Sequence, residues 1–320
     1  MMHYYPVMFE DLLARSGLSF DRLRNFLLVA EAGSMVKASG GDPVQQSLFS
    51  RQIRELEEFF GTQLTQRQGK GIRISPAGQR LASLIREQLQ GLADFQKEQH
   101  GAAKRFTFAA GASIVDWLLL PCIKELTSCL HGANLRLESH RSLALVEAVR
   151  EGSLDFAMVR EDAIPEHLPR AAVGRVSFWV CVGRDLITAT NNGAKELRSD
   201  WHQMPLALPI GGSFRAALQE ACEQSRISLK PAVECQSFLQ MKQLVLAGTH
   251  VSILPSLGLS NLTPAGAVVY PFKPLKDYGR NLCLHWNQRQ MARRGVETHQ
   301  LEAMAKCLKR TFNTISKVVT

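Results

Sequence analysis

Residues 46–61, QSLFSRQIRELEEFFG, decide how the N-terminal part of this 320-residue chain is read. Phe49, Ile53, Leu56 and Phe60 recur at helical spacing and predict one buried stripe. Gln46, Ser47, Ser50, Arg51 and Arg54 lie off that stripe. Gln can bond an adenine edge in a pair, Arg can fork onto guanine or phosphate, and Ser serves either. A helix that buries its rear and offers such groups at its N-terminal end is what reading a major groove requires. Taken alone, the same pattern also fits an ordinary surface helix.

The flanking segments discriminate. Ser19 can cap a first helix with Phe20, Leu23, Phe26, Leu27 and Ala30 along one face, ended by Gly33. Ser34 can cap a short second helix through Met35, Val36 and Ala38. Gly40-Gly41-Asp42-Pro43 reads as a turn before the long helix, which stops at Gly61. Helix, helix, turn, helix within about 45 residues is a helix-turn-helix pattern. Alternation around the glycine-rich tip between Arg67 and Ile74 predicts a two-stranded wing, with Arg67 and Lys70 directed at a phosphate backbone. Ser75-Pro76 opens a further helix to about Gln99, striped by Leu81, Leu84, Ile85, Leu89, Leu92 and Phe95. A helix this long outreaches a small winged domain, so its stripe is expected to meet a second copy of itself; packing on its own wing and first helix is the alternative.

Composition sets outer bounds. A 45% hydrophobic content and this length suit two or three folded domains. No apolar run reaches the roughly 18 residues of a membrane span. Residues 1–17 lack the pattern of a signal peptide and read as a short extension, which makes the cytoplasm the expected location. The net charge of +9 invites a nucleic-acid partner. Much of that excess, however, sits late, in Arg289, Arg293, Arg294, Lys306, Lys309, Arg310 and Lys317, where a solvated helix face explains it. The seven cysteines are scattered, without a Cys-x-x-Cys pair, as in reduced thiols; a redox pair of Cys222 with Cys235 is an alternative. No nucleophile elbow, zinc-protease motif, Walker loop or dinucleotide fingerprint occurs, and the nine histidines show no metal spacing. Neither catalysis nor a metal or other cofactor is expected.

Beyond residue 104, strand-like and helix-like segments alternate, as in an α/β unit. Strands are predicted at 105–110, 135–138, 154–159, 176–182, 206–209, 233–235, 251–254, 267–271 and 281–286. Helices fall at 114–130, 142–151, 213–225, 238–247 and about 296–315. Leu301, Met304, Leu308, Phe312 and Ile315 are expected to face inward from the last of these.

With these residues in place, the chain resembles the LysR-type transcriptional regulators. The resemblance is strongest in FLLVAEAGSMVKAS (26–39), QQSLFSRQIRELEEFFGTQL (45–64) and R-x-G-K-G-I-R-I-S-P-A-G (67–78). Weaker echoes are Gly111-Ala112-Ser113 with Leu119-Leu120-Pro121, LVEAVREGSLDFA (145–157) and VLAGTHVSILP (245–255). The resemblance implies an α/β protein with a winged helix-turn-helix over 18–74 and a dimerising linker helix over 75–100. A two-lobed domain like a periplasmic binding protein would follow, its first lobe 104–177 with 287–320 and its second 178–286. The chain would cross near Phe178 and return near Trp286. Ser34, Gln46, Ser47, Ser50 and Arg51 match the family's DNA-facing positions, and Arg67 its wing arginine; Arg54 and Lys70 are added on chemical grounds. Operator DNA, a second copy of the chain (dimers can join into a tetramer), a small-molecule effector and RNA polymerase are the implied partners.

Departures from the family are expected to matter. Asp42 stands in place of a buried leucine, and two glycines each weaken the second helix by about 1 kcal/mol relative to alanine, predicting a shortened or reshaped helix. Thr65 replaces a phenylalanine, which alters the wing's packing. For the effector, Ser113 and the Gly211-Gly212-Ser213-Phe214 turn each follow a strand and open a helix, where hydroxyls and free N–H groups suit an anion. Phe214 can stack on a ligand or serve as core. Arg141, Ser142 and the strand-end Arg160 are further candidates, and His250 stands where the family usually has glycine. A small carboxylate is the expected effector. A binding protein with a weakened DNA-binding head and a thiol sensor are the alternatives.

Overall fold

The computed structural model describes residues 9, 12, 15–68, 71–140, 142–189, 200–278 and 280–316. By contacts the chain forms a head, within residues 1–102, and a larger unit taking in residues 103–150 and 154–320.

The head begins with α1 (Phe20–Ala32), capped by the Ser19 hydroxyl, and ends it at Gly33 in the left-handed conformation. Next, α2 (Met35–Ala38) has only four residues, as the two following glycines predict. Gly40 and Gly41 take φ of 62° and 88°, a reversal that residues with a Cβ resist. The third helix, α3 (Pro43–Phe60), starts earlier than the turn reading allows: Asp42 accepts from Val44 N at 2.9 Å, and Pro43 occupies the first turn, where no N–H is needed. Asp42-Pro43 is thus the opening of the helix.

Phe26, Val29, Phe49, Ile53 and Leu56 close the head's core with Leu64, Ala82 and Ile85. Two expectations fail here. Phe60 is 37% exposed and lies edge-on to Phe59, because the helix outruns the body it packs on. Phe20, in the first turn of α1, is also exposed, while Val29, off the expected stripe, is fully buried.

The wing is an antiparallel pair, β1 (Thr65–Gln68) with β2 (Gly71–Ile74). Its root is held by Glu57 of α3, whose Oε1 accepts from Leu64 N (2.8 Å), Thr65 N (2.9 Å) and the Thr65 hydroxyl (3.1 Å). Thr65 is therefore fixed through a hydrogen bond instead of ring packing. Helix α4 (Pro76–Gln99) follows, with Ser75 donating to Gln63 O and accepting from Gly78 N. Gly78 permits the wing to approach: a Cβ there would lie 2.2 Å from Leu64 O. Of the α4 stripe, Ile85 enters the head's core and Leu81 and Leu89 pack against it, whereas Leu84, Leu92 and Phe95 are at least half exposed.

The larger unit contains two five-stranded sheets, ordered by strand start 134-105-156-280-170 and 268-178-251-206-231. In chain order these are β3 (Arg105–Ala110), β4 (Asn134–Ser139), β5 (Phe156–Arg160), β6 (Arg170–Val176), β7 (Phe178–Val182), β8 (Leu206–Pro209), β9 (Pro231–Cys235), β10 (Val251–Pro255), β11 (Val268–Pro271) and β12 (Arg280–Trp286). The first sheet sets β3 parallel to β4 and β5, with β12 antiparallel to both β5 and β6. The helices that bear on the sites are α5 (Ala112–Ile114), α6 (Ile123–Cys129), α7 (Ser142–Arg150), α8 (Arg184–Ala189), α9 (Ser213–Gln224), α10 (Phe238–Leu246), α11 (Gln288–Arg293) and α12 (Thr298–Ser316). Between α5 and α6 the Leu119-Leu120-Pro121 segment forms a π turn (Val115–Leu119) and a 3-10 turn, since Pro121 has no N–H for a regular helix.

Three readings are corrected. The segment 176–182 is two strands broken at Ser177, where the chain passes from the first sheet to the second; β6, Ala-rich and half exposed, went unread. The return near Trp286 moves to before Arg280, because β12 pairs with β5 and β6. Arg294 is no solvated charge: it is 4% exposed, pairs with Asp155 at 2.5 Å, donates to Arg105 O at 2.6 Å and covers the Phe106 ring. Asp155 also accepts from Thr107 N and Gln290 Nε2, both at 2.8 Å. These bonds fasten α11 to the first sheet. Beyond it, α12 places Phe312 over β6, where Gly174 leaves room that a Cβ would fill at 2.3 Å from the ring.

Two outcomes follow for stability. Gly78→Ala should lower the head's stability by about 1–3 kcal/mol, read from thermal unfolding, because the Leu64 carbonyl is backbone and cannot yield cheaply. His285, 1% exposed on β12, has its ring Nδ1 2.7 Å from Pro169 O. Burial pulls its pKa below the ordinary 6.5, with the Pro169 bond opposing. The unfolded chain then binds the proton that the fold refuses, so stability should be complete above pH 6.5 and fall as the pH drops below it. A pH series of melting temperatures should show that slope, reduced in His285→Gln.

Candidate functional site

Two groups of candidate residues stand apart in the fold. On α3, Gln46, Ser47, Ser50, Arg51 and Arg54 span an arc of about 140°, turned away from the buried Phe49, Ile53 and Leu56. Ser47, Arg51 and Arg54 are exposed; Gln46 and Ser50 are half-buried. Arg51 has a loose ion pair with Glu55, at 3.9 Å. Such a surface pair is worth only a few tenths of a kcal/mol, so it offers little resistance to a phosphate or a guanine. Glu55 is engaged more closely by Arg22 of α1, and Asn25 bonds Gln52 at 2.7 Å, which fixes the rear of α3 on α1.

Ser34 caps α2, accepting from Lys37 N at 3.5 Å, and remains partly exposed. Arg67 is exposed on β1. Lys70 lies outside the described residues. The earlier start of α3 adds two exposed residues at its front, Val44 (76% exposed) and Gln45. The signal for them was present: an aspartate followed by proline is a helix-start signature as well as a turn signature.

The second group gathers in the larger unit, and the strand register shows where. Arg160 ends β5, and its partner on β12 is Leu282, so Arg280 lies just past it on the same sheet edge. Arg280 is also opposite Val176, the last residue before the crossing at Ser177. The turn after β3, with Ser113 half-exposed, opens on this edge because β3 runs parallel to β5. In the second sheet Phe178 pairs with Pro255, and β8 runs parallel to β10, so the Gly211–Ser213 turn after β8 lies on the edge beside the crossing. Arg280 joins the two edges directly: its Nη1 donates to the Ser213 hydroxyl at 3.4 Å.

Arg280 was not foreseen, since a single basic residue at a strand start carries no pattern. It stacks on Tyr278, 4.3 Å from the ring centroid, and the Tyr278 hydroxyl donates to Ser213 O at 2.9 Å. Its guanidinium is pushed down to about 10, by burial first and then by the charge of Arg160, with Asp162 opposing. Asp162 lies 3.1 Å from Arg160 Nε, near enough for charge pairing but out of line with the N–H, which has no hydrogen-bond acceptor among the described residues.

The other candidates divide. Ser113 is not a plain cap, because Gly111 holds that position and no side chain caps the turn. Ser213 likewise follows Gly212, whose φ of 91° suits glycine. Phe214 is core: it stacks on Phe178 at 4.5 Å and meets Phe238 edge-on at 5.0 Å. His250 is not brought to the site. It precedes β10 at the edge where its carbonyl accepts from Gly183 N, some 13 Å along β7 from Phe178. Arg141 lies outside the described residues, as does the side chain of Ser142. The thiols are poorly suited to redox work: Cys222 is raised to about 11 by burial, and Cys235 is buried and raised for the same reason.

A winged helix-turn-helix joined to an α/β unit of two sheets, with basic and hydroxyl groups where the chain crosses between them, defines a ligand-responsive, DNA-binding regulator of transcription. The chain belongs to the LysR family. Residues 20–79 match the bacterial regulatory helix-turn-helix proteins of the lysR family, and residues 99–311 match the LysR substrate binding domain. Among curated relatives, the transcriptional dual regulator GltC of Bacillus subtilis (strain 168) is 25% identical over 265 residues, covering 79% of this chain and 85% of GltC. Similar folds include LysG from Corynebacterium glutamicum with its effector Arg bound (TM-score 0.60, 18% identical, 92% of this chain and 99% of that one). A full-length OxyR variant from Pseudomonas aeruginosa is also similar (TM-score 0.59, 21% identical, 91% and 97%).

Asp42→Ala should cost about 1 kcal/mol of head stability and fray the first turn of α3, whereas Asp42→Ser should keep the cap. Hydrogen exchange at the amides of Val44 to Ser47 would register the difference.

Proposed function

We propose that this regulator binds operator DNA through α3, with Gln46, Ser47, Ser50 and Arg51 reading base edges and Ser34, Arg54, Arg67 and Lys70 contacting the backbone. Val44 adds an apolar group suited to a thymine methyl. The observation that carries this reading is the polar arc of α3, held out by a buried rear face and an intact cap. LysR regulators bind DNA and form oligomers. For this chain we infer a homodimer through α4, whose Leu84, Leu92 and Phe95 form an exposed apolar row, with tetramers as the larger assembly and RNA polymerase as a further partner. No helix among the described residues is long and apolar enough to cross a membrane. We place the protein in the cytoplasm, as a regulator without catalytic activity.

The effector is inferred to be a small carboxylate, taken by Ser113, Arg160 and Ser213 between the two lobes. Like charges gathered beside helix starts favour an anion. LysG's effector, arginine, itself carries a carboxylate. Effector binding would shift the population between lobe arrangements, and with it the spacing of the DNA-binding heads. A binding protein with a decayed head is the competing reading, and the intact cap and wing root count against it.

Binding to DNA from the promoter of the protein's own gene, followed by fluorescence anisotropy across a salt series, tests the proposal. Arg51→Ala should weaken specific binding about 10- to 100-fold, with little change in melting temperature. Equal affinity for this promoter and for random DNA, with and without candidate acids, would support the decayed head.

A further inference from the structure

Arg280 has no role in the reading above, yet its surroundings are unusual. It reaches from the first sheet to the second, and its partner across the gap is a neutral hydroxyl at a long 3.4 Å. Within its reach is Arg160, a second guanidinium, and together they face one carboxylate, Asp162, whose side chain is 69% exposed. Among the described residues, the Arg160 Nε–H is buried without an acceptor. A buried donor left unmade costs about 1–3 kcal/mol, and proteins usually fill such positions. Two positive charges, one solvated negative charge, an unused N–H and a weakly held guanidinium define an electrostatic deficit of one anion.

We propose that Arg280 and Arg160 form a two-arginine clamp for a single planar carboxylate, with Tyr278 as the residue that positions Arg280. This rests on the effector reading above and names the groups that hold the acid. A carboxylate would give the Arg160 Nε–H its acceptor and offer Arg280 a charge-assisted bond of about 2.7–2.9 Å, shorter and stronger than the one to Ser213. Guanidinium forks match carboxylates in a plane, which a lysine ammonium cannot do. Tyr278 keeps Arg280 over the gap in two ways: its ring supports the guanidinium, and its hydroxyl ties it to the Ser213 carbonyl. Ligand entry would replace the Arg280–Ser213 contact, so the bond that spans the two sheets in the free protein is the one that the acid rewires.

The test uses the full chain and plain carboxylates as probes. Melting temperatures and titration calorimetry are followed in sodium acetate and sodium benzoate against sodium chloride at equal ionic strength. Carboxylates should stabilise the wild type beyond chloride. Arg280→Gln and Arg160→Gln should each weaken apparent carboxylate affinity by at least about tenfold, and Arg280→Lys should restore only part of it. Tyr278→Phe, which keeps the ring but frees the Ser213 carbonyl, should bind more tightly than Tyr278→Ala. The clamp is wrong if the wild type shows no carboxylate-specific shift, or if folded Arg280→Gln titrates like the wild type. Should Arg280→Gln fail to fold, Arg280→Lys decides, since it preserves the charge and removes the fork. Promoter binding without ligand separates this inference from the regulator reading: DNA binding with no carboxylate response sinks the clamp alone, whereas a carboxylate response without promoter preference sinks the regulator reading alone.

Discussion

The buried carboxylate of Asp155 holds the larger unit together at the point where its chain order is least local. It receives a backbone N–H from β3 and side-chain donors from Gln290 and Arg294, more than 130 residues later. A buried ion pair gains little over a well-packed apolar one, but losing one partner costs several kcal/mol because the other charge is stranded. The constraint is therefore one of specificity: the segment after β12 has one place where Arg294 is satisfied, against Asp155, Arg105 O and the face of Phe106. With that end anchored, β12 lies between β5 and β6, and its first residue, Arg280, arrives beside Arg160 at the crossing edge.

The head obeys a different economy. Its recognition helix is held by apolar burial behind, by Asp42 in front and by Glu57 at the wing root. None of these three devices draws on the polar arc of α3, whose Ser47, Arg51 and Arg54 stay exposed. The Gly40-Gly41 turn, a departure from the family pattern, keeps α2 at four residues, and Asp42-Pro43 compensates by lengthening α3 at its front. The same departure leaves Val44 and Gln45 exposed at the front of α3.

Between the two sheets, long side chains form part of the bridge. Trp117, from the π turn, packs so closely on Gly258 that a Cβ there would lie 2.7 Å from the indole, and the Lys242 ammonium sits 5.5 Å from the same ring. Lys242 is almost wholly buried and donates to the Ser260 hydroxyl; burial lowers its pKa. These contacts, with Arg280 to Ser213, are side-chain links that can exchange partners without unfolding a strand. That is the property a ligand-responsive pair of lobes requires.

Much was legible in the residues alone. Periodicity gave the helices of the head and their inner faces, glycine and proline gave the stops, and the motifs at 26–39, 45–64 and 67–78 carried the family. These are local signals, set by side-chain spacing along a rise of fixed geometry. Misreadings arose where a local signal had two meanings, as at Asp42-Pro43, or where a helix outran its support, as at Phe20 and Phe60. The candidate effector site was legible only in part. Ser113, Arg160 and Ser213 could be named because strand ends and helix starts mark them, whereas Phe214 packs in the core and His250 lies at the opposite edge of its sheet. Arg280 could not be named at all. The sequence by itself determined most of the elements, the two-part organisation and the polar, outward arc of α3. Tertiary structure decided which strand ends meet, because β12 takes its register from strands more than a hundred residues earlier, β5 and β6, and only that register brings Arg280 to Arg160 and Ser213.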